Sequence, residues 1–284
     1  MIKKYISYLG ILIFASFSFF YTDKAVDIVR RNDPIMKEIL SNKDNYSVKS
    51  VNAIINDNEI IPGINGTSVN VKESYKNMKK CNNYNEDMFV YEEVIPNISL
   101  TDKYDKYIIS GNNSKKQVAL IFKIIDASYI ETINKILLDK NIVATFFIDG
   151  SIIDFYSDSI LELSDNKNEI ENLGYDGEYT LDKFFWTNNL IASITKIDPK
   201  FCYTDYKVDS ILELCSKYNM YTIKPNISIT NYPFITVKKN LNSGSIISFN
   251  LNNETIMELP SIISYIKQKG YDLVLLSDLI NEKY

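Results

Sequence analysis

Hydrophobic and polar positions fall into three successive patterns along the 284 residues. Residues 5–21 carry no charge, a run at the lower limit for a helix that crosses a bilayer. Residues 23–31 then read as helix. Asn32-Asp33-Pro34 reads as a break and restart, with Asp33 as N-cap and Pro34 at the first helical position. From residue 48 to 109 the pattern turns to short strands. Residues 48–55 partly alternate, Pro62-Gly63 and Asn65-Gly66 mark turns, and residues 88–95 form a strand that ends at Pro96. A short helix is expected over 72–80, and residues 110–114 read as a linker.

From Val118 strands alternate with helices. Residues 118–122 are continuously apolar, as in a strand buried on both faces. Ile130, Ile133, Ile136 and Leu137 make a helical stripe, residues 143–148 the next strand, and residues 152–163 the next helix. Shorter strands follow at 169–173, 200–203 and 220–223. Residues 245–249 are a strand, 255–269 a helix with Gly270 just past its end, and 271–276 a last strand. Seven strands with helices between most of them imply a parallel sheet, open or closed into a barrel. The first two strands should be adjacent. The expected organisation is a membrane helix over 1–22, a helical stalk over 23–45, a small β-rich extension over 46–114 and an α/β barrel over 115–284.

Composition narrows the chemistry. The chain is 45% apolar and 24% charged, a globular balance. Its net charge of −5 argues against nucleic acid, which needs clustered positive charge. It contains no histidine. That excludes a Ser-His-Asp triad, a Cys-His pair and a His-ligated zinc. Cys81, Cys202 and Cys215 are far apart, and an odd count precludes a fully paired framework. A Cys202–Cys215 bridge would need an oxidising compartment, and three unpaired, mostly buried thiols are expected. Lys3-Lys4 before the uncharged run gives a signal anchor, with a cleaved signal peptide as the alternative. Either way the bulk of the chain is expected outside the cytoplasm, anchored in the cell membrane or secreted.

Several segments resemble a known family. Lys116-Gln-Val-Ala-Leu-Ile-Phe, Asn141-Ile-Val-Ala-Thr-Phe-Phe-Ile-Asp-Gly and Asn168-Glu-Ile-Glu-Asn-Leu-Gly-Tyr are similar to polysaccharide deacetylases with the NodB-homology domain. Gly244-Ser-Ile-Ile-Ser-Phe-Asn and the closing Lys267-Gln-Lys-Gly-Tyr-Asp-Leu-Val-Leu-Leu match that family's C-terminal end. The resemblance implies a distorted (β/α)7-type barrel with its groove at the C-terminal ends of the strands. In active relatives a divalent metal, held by one Asp and two His, serves removal of acetyl groups from amino sugars.

Position by position, that site is missing. The family's two adjacent aspartates fall on Lys123 and Ile124, and its two metal-binding histidines on Leu173 and Gly177. The groove-wall motif becomes Cys202-Tyr203-Thr204-Asp205-Tyr206, and the general-acid His falls on Asn250. Ile and Leu offer no lone pair, Gly no side chain, and Asn no proton near neutral pH. The resemblance therefore implies a catalytically inactive member with no metal and no cofactor. Its expected partners are cell-wall glycan or an envelope protein, with the membrane through the N-terminal helix.

Two sets of residues remain as groove candidates. Asp126, Asp149, Asp176 and Asp205 all follow strands, where barrel chemistry sits. They allow an alternative, a divergent deacetylase or hydrolase with a carboxylate-based site. Asp also caps helices and turns, and that ordinary role is the weightier expectation. Tyr175, Tyr179, Trp186 and Tyr203 could offer faces to sugar rings, although packing is the default role for such rings.

Overall fold

The computed structural model describes residues 30–283. Its strands are β1 (Ile54–Asn56), β2 (Glu59–Ile61), β3 (Gly66–Val69), β4 (Tyr91–Val94), β5 (Tyr107–Ile108), β6 (Gln117–Ile124), β7 (Thr145–Ile148), β8 (Glu169–Asn172), β9 (Phe201–Tyr203), β10 (Tyr221–Ile223), β11 (Ile227–Ile229), β12 (Ile246–Asn250) and β13 (Asp272–Val274). The chain forms two compact units. One comprises the described residues up to 50 together with 65–95, the other residues 51–64 and 96–283.

The larger unit is an α/β fold around one sheet in the order β1-β2-β5-β10-β9-β8-β7-β6-β12-β11, with β13 also paired to β6. All its pairings are parallel except β1 with β2. β6 and β7 are parallel neighbours, Ile121 opposite Thr145, as expected. The sheet curls into a half-barrel with β1 and β11 as its edges. The reason it stays open is visible at β10, whose free edge is taken by β5 rather than by β11. Thus β1, β2 and β5, expected in a small β-rich extension before the barrel, belong to the large sheet.

Period-two alternation sorts the strand residues between two cores. Leu120, Phe122 and Ile124 of β6, Phe146 and Ile148 of β7, and Ile247 and Phe249 of β12 pack outward against the helices. Ala119, Ile121, Phe147, Tyr203 and Ile246 fill the inside of the curl. Both faces of β6 and β7 are therefore buried, which is why their sequences read as unbroken apolar runs. The expected helix over 152–163 is two, Gly150–Ile153 and Ser157–Asp165. The three-residue β11 was not expected.

The smaller unit pairs β3 with β4 antiparallel and packs two helices, Pro34–Asn42 and Val71–Cys81, over Ile35, Ile39, Val69, Met78 and Phe89. Asp33 caps the first helix through Ile35 N–H at 3.0 Å, with Pro34 in the first turn. That helix, expected in a stalk, buries Ile35 and Ile39 in this core instead. Gly66 is required by close approach, since a Cβ there would collide with the Val48 carbonyl.

The expected membrane helix over 5–21 lies outside the described residues. Among the described residues no helix is long and apolar enough to cross a membrane. The cysteines depart from expectation. Cys202 on β9 and Cys215 on the helix Asp209–Lys217 form a disulfide with Cα atoms 6.5 Å apart, packed with Phe184 and Met220. Cys81 is free and exposed. The strand-to-helix turn brings residues 13 apart in sequence face to face, a proximity that spacing alone does not reveal.

Candidate groove and its ion pair

The inward face of β6 runs Ala119, Ile121, Lys123, so alternation places Lys123 inside the curl and its neighbour Ile124 among the helices. Tyr203 reaches the same level from β9 and Asp205 from the loop just beyond it. Lys123 Nζ lies 2.8 and 3.1 Å from the two carboxylate oxygens of Asp205. Tyr203 Oη donates to Asp205 Oδ1 at 2.5 Å and lies 2.8 Å from Ser248 Oγ on β12. With the phenol proton committed to Asp205, the Ser248 hydroxyl is the donor of that second bond. The ammonium also sits 5.1 Å from the Tyr203 ring centroid. Burial, then the Asp205 hydrogen bond, push the Tyr203 phenol far above its ordinary range. Asn250 is the register neighbour of Lys123 across β12 and β6.

Lys123 has only 11% of its side chain exposed and Asp205 34%. The centre of the groove thus holds an internal ion pair rather than converging carboxylates. A divalent metal of the kind the family resemblance implies does not fit these residues. It would meet a fixed ammonium at Lys123, while Leu173 packs into the apolar interior and Gly177 has no side chain. Gly177 also has φ +72°, which L side chains rarely adopt, so a histidine there would be strained even though space is open. Among the described residues no three Asp, Glu or Cys side chains are grouped to hold a metal ion.

The other aspartates do local work. Asp126 is exposed and caps the turn Ala127–Tyr129, accepting from Ser128 N–H and Oγ, bonds that lower its carboxyl. Asp149 is buried at the start of the helix Gly150–Ile153. Its Oδ1 accepts from Ser151 N–H, Ser151 Oγ and Asp176 N–H, and its Oδ2 from Gly177 N–H, all at 2.7–2.9 Å. Asp149 and Asp176 are therefore together, but as clamp and clamped loop. Burial alone would raise the Asp149 carboxyl, and the four hydrogen bonds outweigh it and hold it below the ordinary 3.8. An aspartate depressed in the folded state contributes stability in full above its unfolded value, and loses it as pH falls through the folded value. Urea midpoints of the native protein should consequently drop between pH 5 and pH 3. Asp149→Asn sets an amide NH2 against a backbone N–H, which should cost about 2 kcal/mol at pH 7 and flatten that acid slope. An unchanged slope in the variant would remove Asp149 as its source.

The aromatic candidates divide similarly. Tyr179 is not a stacking platform. Its hydroxyl is buried, donating to the Asn172 carbonyl at 2.6 Å and accepting from Tyr203 N–H at 3.1 Å, and burial pushes it far above the ordinary phenol range. Tyr175 exchanges two backbone bonds with Glu178 in the clamped loop. Trp186 is 57% exposed on the helix Leu181–Thr195, whose buried face is Phe184, Thr187 and Ile191. The rings left open on loops after the strands are others: Tyr206 after β9 and Tyr232 after β11, exposed by 79 and 67%, while Phe155, exposed by 82%, lies in the turn between the helices Gly150–Ile153 and Ser157–Asp165.

Ser248 and Glu171 escaped the sequence reading. Glu171 faces inward beneath the groove, and its Oε2 accepts from Lys200 and Phe201 N–H at 2.7 and 2.8 Å. Burial pushes its carboxyl well above the ordinary range. The signal was Glu169-Ile-Glu, an alternation that ordinarily means acids facing water.

Comparison with known proteins agrees with this geometry. Residues 110–206 match the family model for polysaccharide deacetylase. The uncharacterised protein YlxY of Bacillus subtilis (strain 168) is 26% identical over 279 residues, covering 90% of this chain and 86% of that protein. The crystal structure of BA3943, a CE4 family pseudoenzyme from Bacillus anthracis, superposes with a TM-score of 0.69 at 24% identity, covering 87% of this chain and 95% of that one. The Bc1960 peptidoglycan N-acetylglucosamine deacetylase follows at 0.57 and 20% identity, covering 63% and 95%. The curled parallel sheet is thus the fold of these deacetylases, and residues 110–206, which include Lys123 and Asp205 at the centre of the groove, are similar to the polysaccharide deacetylase domain.

Proposed function

We propose that this protein is a membrane-anchored, extracytoplasmic member of the family that binds cell-wall glycan without deacetylating it. The observation that carries the reading is the Lys123–Asp205 ion pair, which occupies the groove centre with a fixed cation where acetyl removal needs a metal, a base and an acid. Asp205 is committed to two donors, Lys123 and Tyr203, and so is a poor general base. The exposed rings of Tyr206 and Tyr232, on the loops that follow β9 and β11, suit sugar faces. Bc1960 acts on peptidoglycan, which makes that glycan the first ligand to try. The Cys202–Cys215 disulfide supports an oxidising compartment, and the uncharged run over 5–21 supports anchorage.

The test combines binding with chemistry. Purified protein should co-sediment with peptidoglycan, carry no stoichiometric zinc and release no acetate. The BA3943 variant described as having restored enzymatic activity serves as positive control. Tyr206→Ala should weaken co-sedimentation without altering the fold, because the ring is almost wholly in solvent. Metal-dependent acetate release would sink the non-catalytic reading, and a protein left in the supernatant would sink the glycan-binding one.

A further inference from the structure

We infer that the smaller unit carries an anion site, a basic pocket that takes the phosphodiester headgroup of an anionic phospholipid. Arg30, Lys72, Lys76, Lys79 and Lys80 line a concavity of about 370 Å³ with Tyr75. Lys76 pairs with Glu73 at 3.2 Å and Lys79 with Asp33 at 2.6 Å. Among the described residues Arg30, Lys72 and Lys80 have no ion-pair partner. Five cations against two carboxylates leave a local charge of +3 in a chain whose net charge is −5. The chain's two arginines, Arg30 and Arg31, are both at this end of the unit.

Helix stability does not account for this grouping. Lys79 and Lys80, in the last turn of the helix Val71–Cys81, do suit its dipole. Lys72 is in the first turn, where a cation is disfavoured, two residues after the cap Asn70. Lys72, Lys76 and Lys80 succeed one another at four-residue spacing, so each neighbouring pair repels across one turn. The stripe extends about 12 Å along the helix. Arg30 joins it from a segment more than 40 residues earlier, so the pocket is built by two parts of the chain. Asp33 fixes Lys79 and accepts from Tyr75 Oη at 3.1 Å, leaving the neighbouring ammonium groups to a ligand.

A phosphodiester matches the charge and the size. The choice of a lipid as its bearer rests on the membrane-anchored reading, since Arg30 follows the uncharged run over 5–21 by only nine residues. The chemistry of the pocket does not depend on that reading.

The full chain in neutral detergent micelles should be titrated with phosphatidylglycerol, with phosphatidylcholine, with the water-soluble headgroup glycerophosphoglycerol and with inorganic phosphate. Phosphatidylglycerol should bind, and binding should weaken as salt is raised. The variant Lys72→Gln/Lys76→Gln/Lys80→Gln, which leaves the Lys79–Asp33 pair intact, should lose roughly fivefold per charge and about a hundredfold in all. Circular dichroism of the variant checks that the unit remains folded. Equal binding by the variant, or equal affinity for the two lipids, overturns the site. Inorganic phosphate binding as tightly as phosphatidylglycerol overturns the lipid assignment. Recovery of the protein in the cytosolic fraction overturns the anchor and not the pocket.

Discussion

Asp205→Ala should destabilise the larger unit by about 3 kcal/mol, although Asp205 itself is one-third exposed. The cost comes from its partner. Lys123 is nine-tenths buried, and without the carboxylate its ammonium remains in the interior with only the Tyr203 ring beside it. Lys123→Met should cost less, about 1 kcal/mol, because the carboxylate left behind can reach water. The double variant Lys123→Met/Asp205→Ala should recover most of the loss, since an apolar side chain of similar volume then fills the space and no charge is stranded. Urea denaturation of the four proteins at pH 7 measures the coupling. Strict additivity of the two single effects would show that the pair does not act as a unit. The cycle also bears on function, because it tests whether the ion pair at the groove centre is structural.

Removing the disulfide should have an effect of similar size. Cys202 and Cys215 close a loop of about 15 residues, for which lost chain entropy in the unfolded state is worth about 3 kcal/mol. Cys202→Ala/Cys215→Ala should lower the urea midpoint accordingly, and reductant should do the same to the native protein but not to the variant. Thiol titration of the denatured native chain should give one free thiol, Cys81, before reduction and three after it. Three thiols without reductant would mean that the bridge does not form.

Lys123 was legible as a groove residue because it falls where the family resemblance puts the first of two adjacent aspartates, at the end of β6. That Lys123 could pair with one of the four aspartates after the strands was legible, but not that the partner would be Asp205, since the contact joins residues 82 apart and depends on how far the sheet curls. The strands β6, β7 and β12 announced themselves through burial on both faces. β1, β2 and β5 did not, because they are short and lie toward an edge, and so a small β-rich extension before the barrel was the natural reading of residues that the sheet absorbs. The aspartates 126 and 149 turned out to be caps, as the bland reading of Asp after a strand suggests. Glu171 and Tyr179 were hidden for the opposite reason, being polar groups in places where polarity normally signals solvent.

Those last two residues share a boundary. Between β8 and β9 only Asn172 and Cys202 are in register, and the strands are otherwise joined by Glu171 gripping two amides on one side and Tyr179 spanning Asn172 and Tyr203 on the other. A backbone ladder is nearly indifferent to which amino acids compose it, whereas a join made by side chains can be rewritten one codon at a time. The spacing of β8 and β9 therefore hangs on two side chains, and exchanging either is expected to shift it where a substitution along a backbone ladder would not.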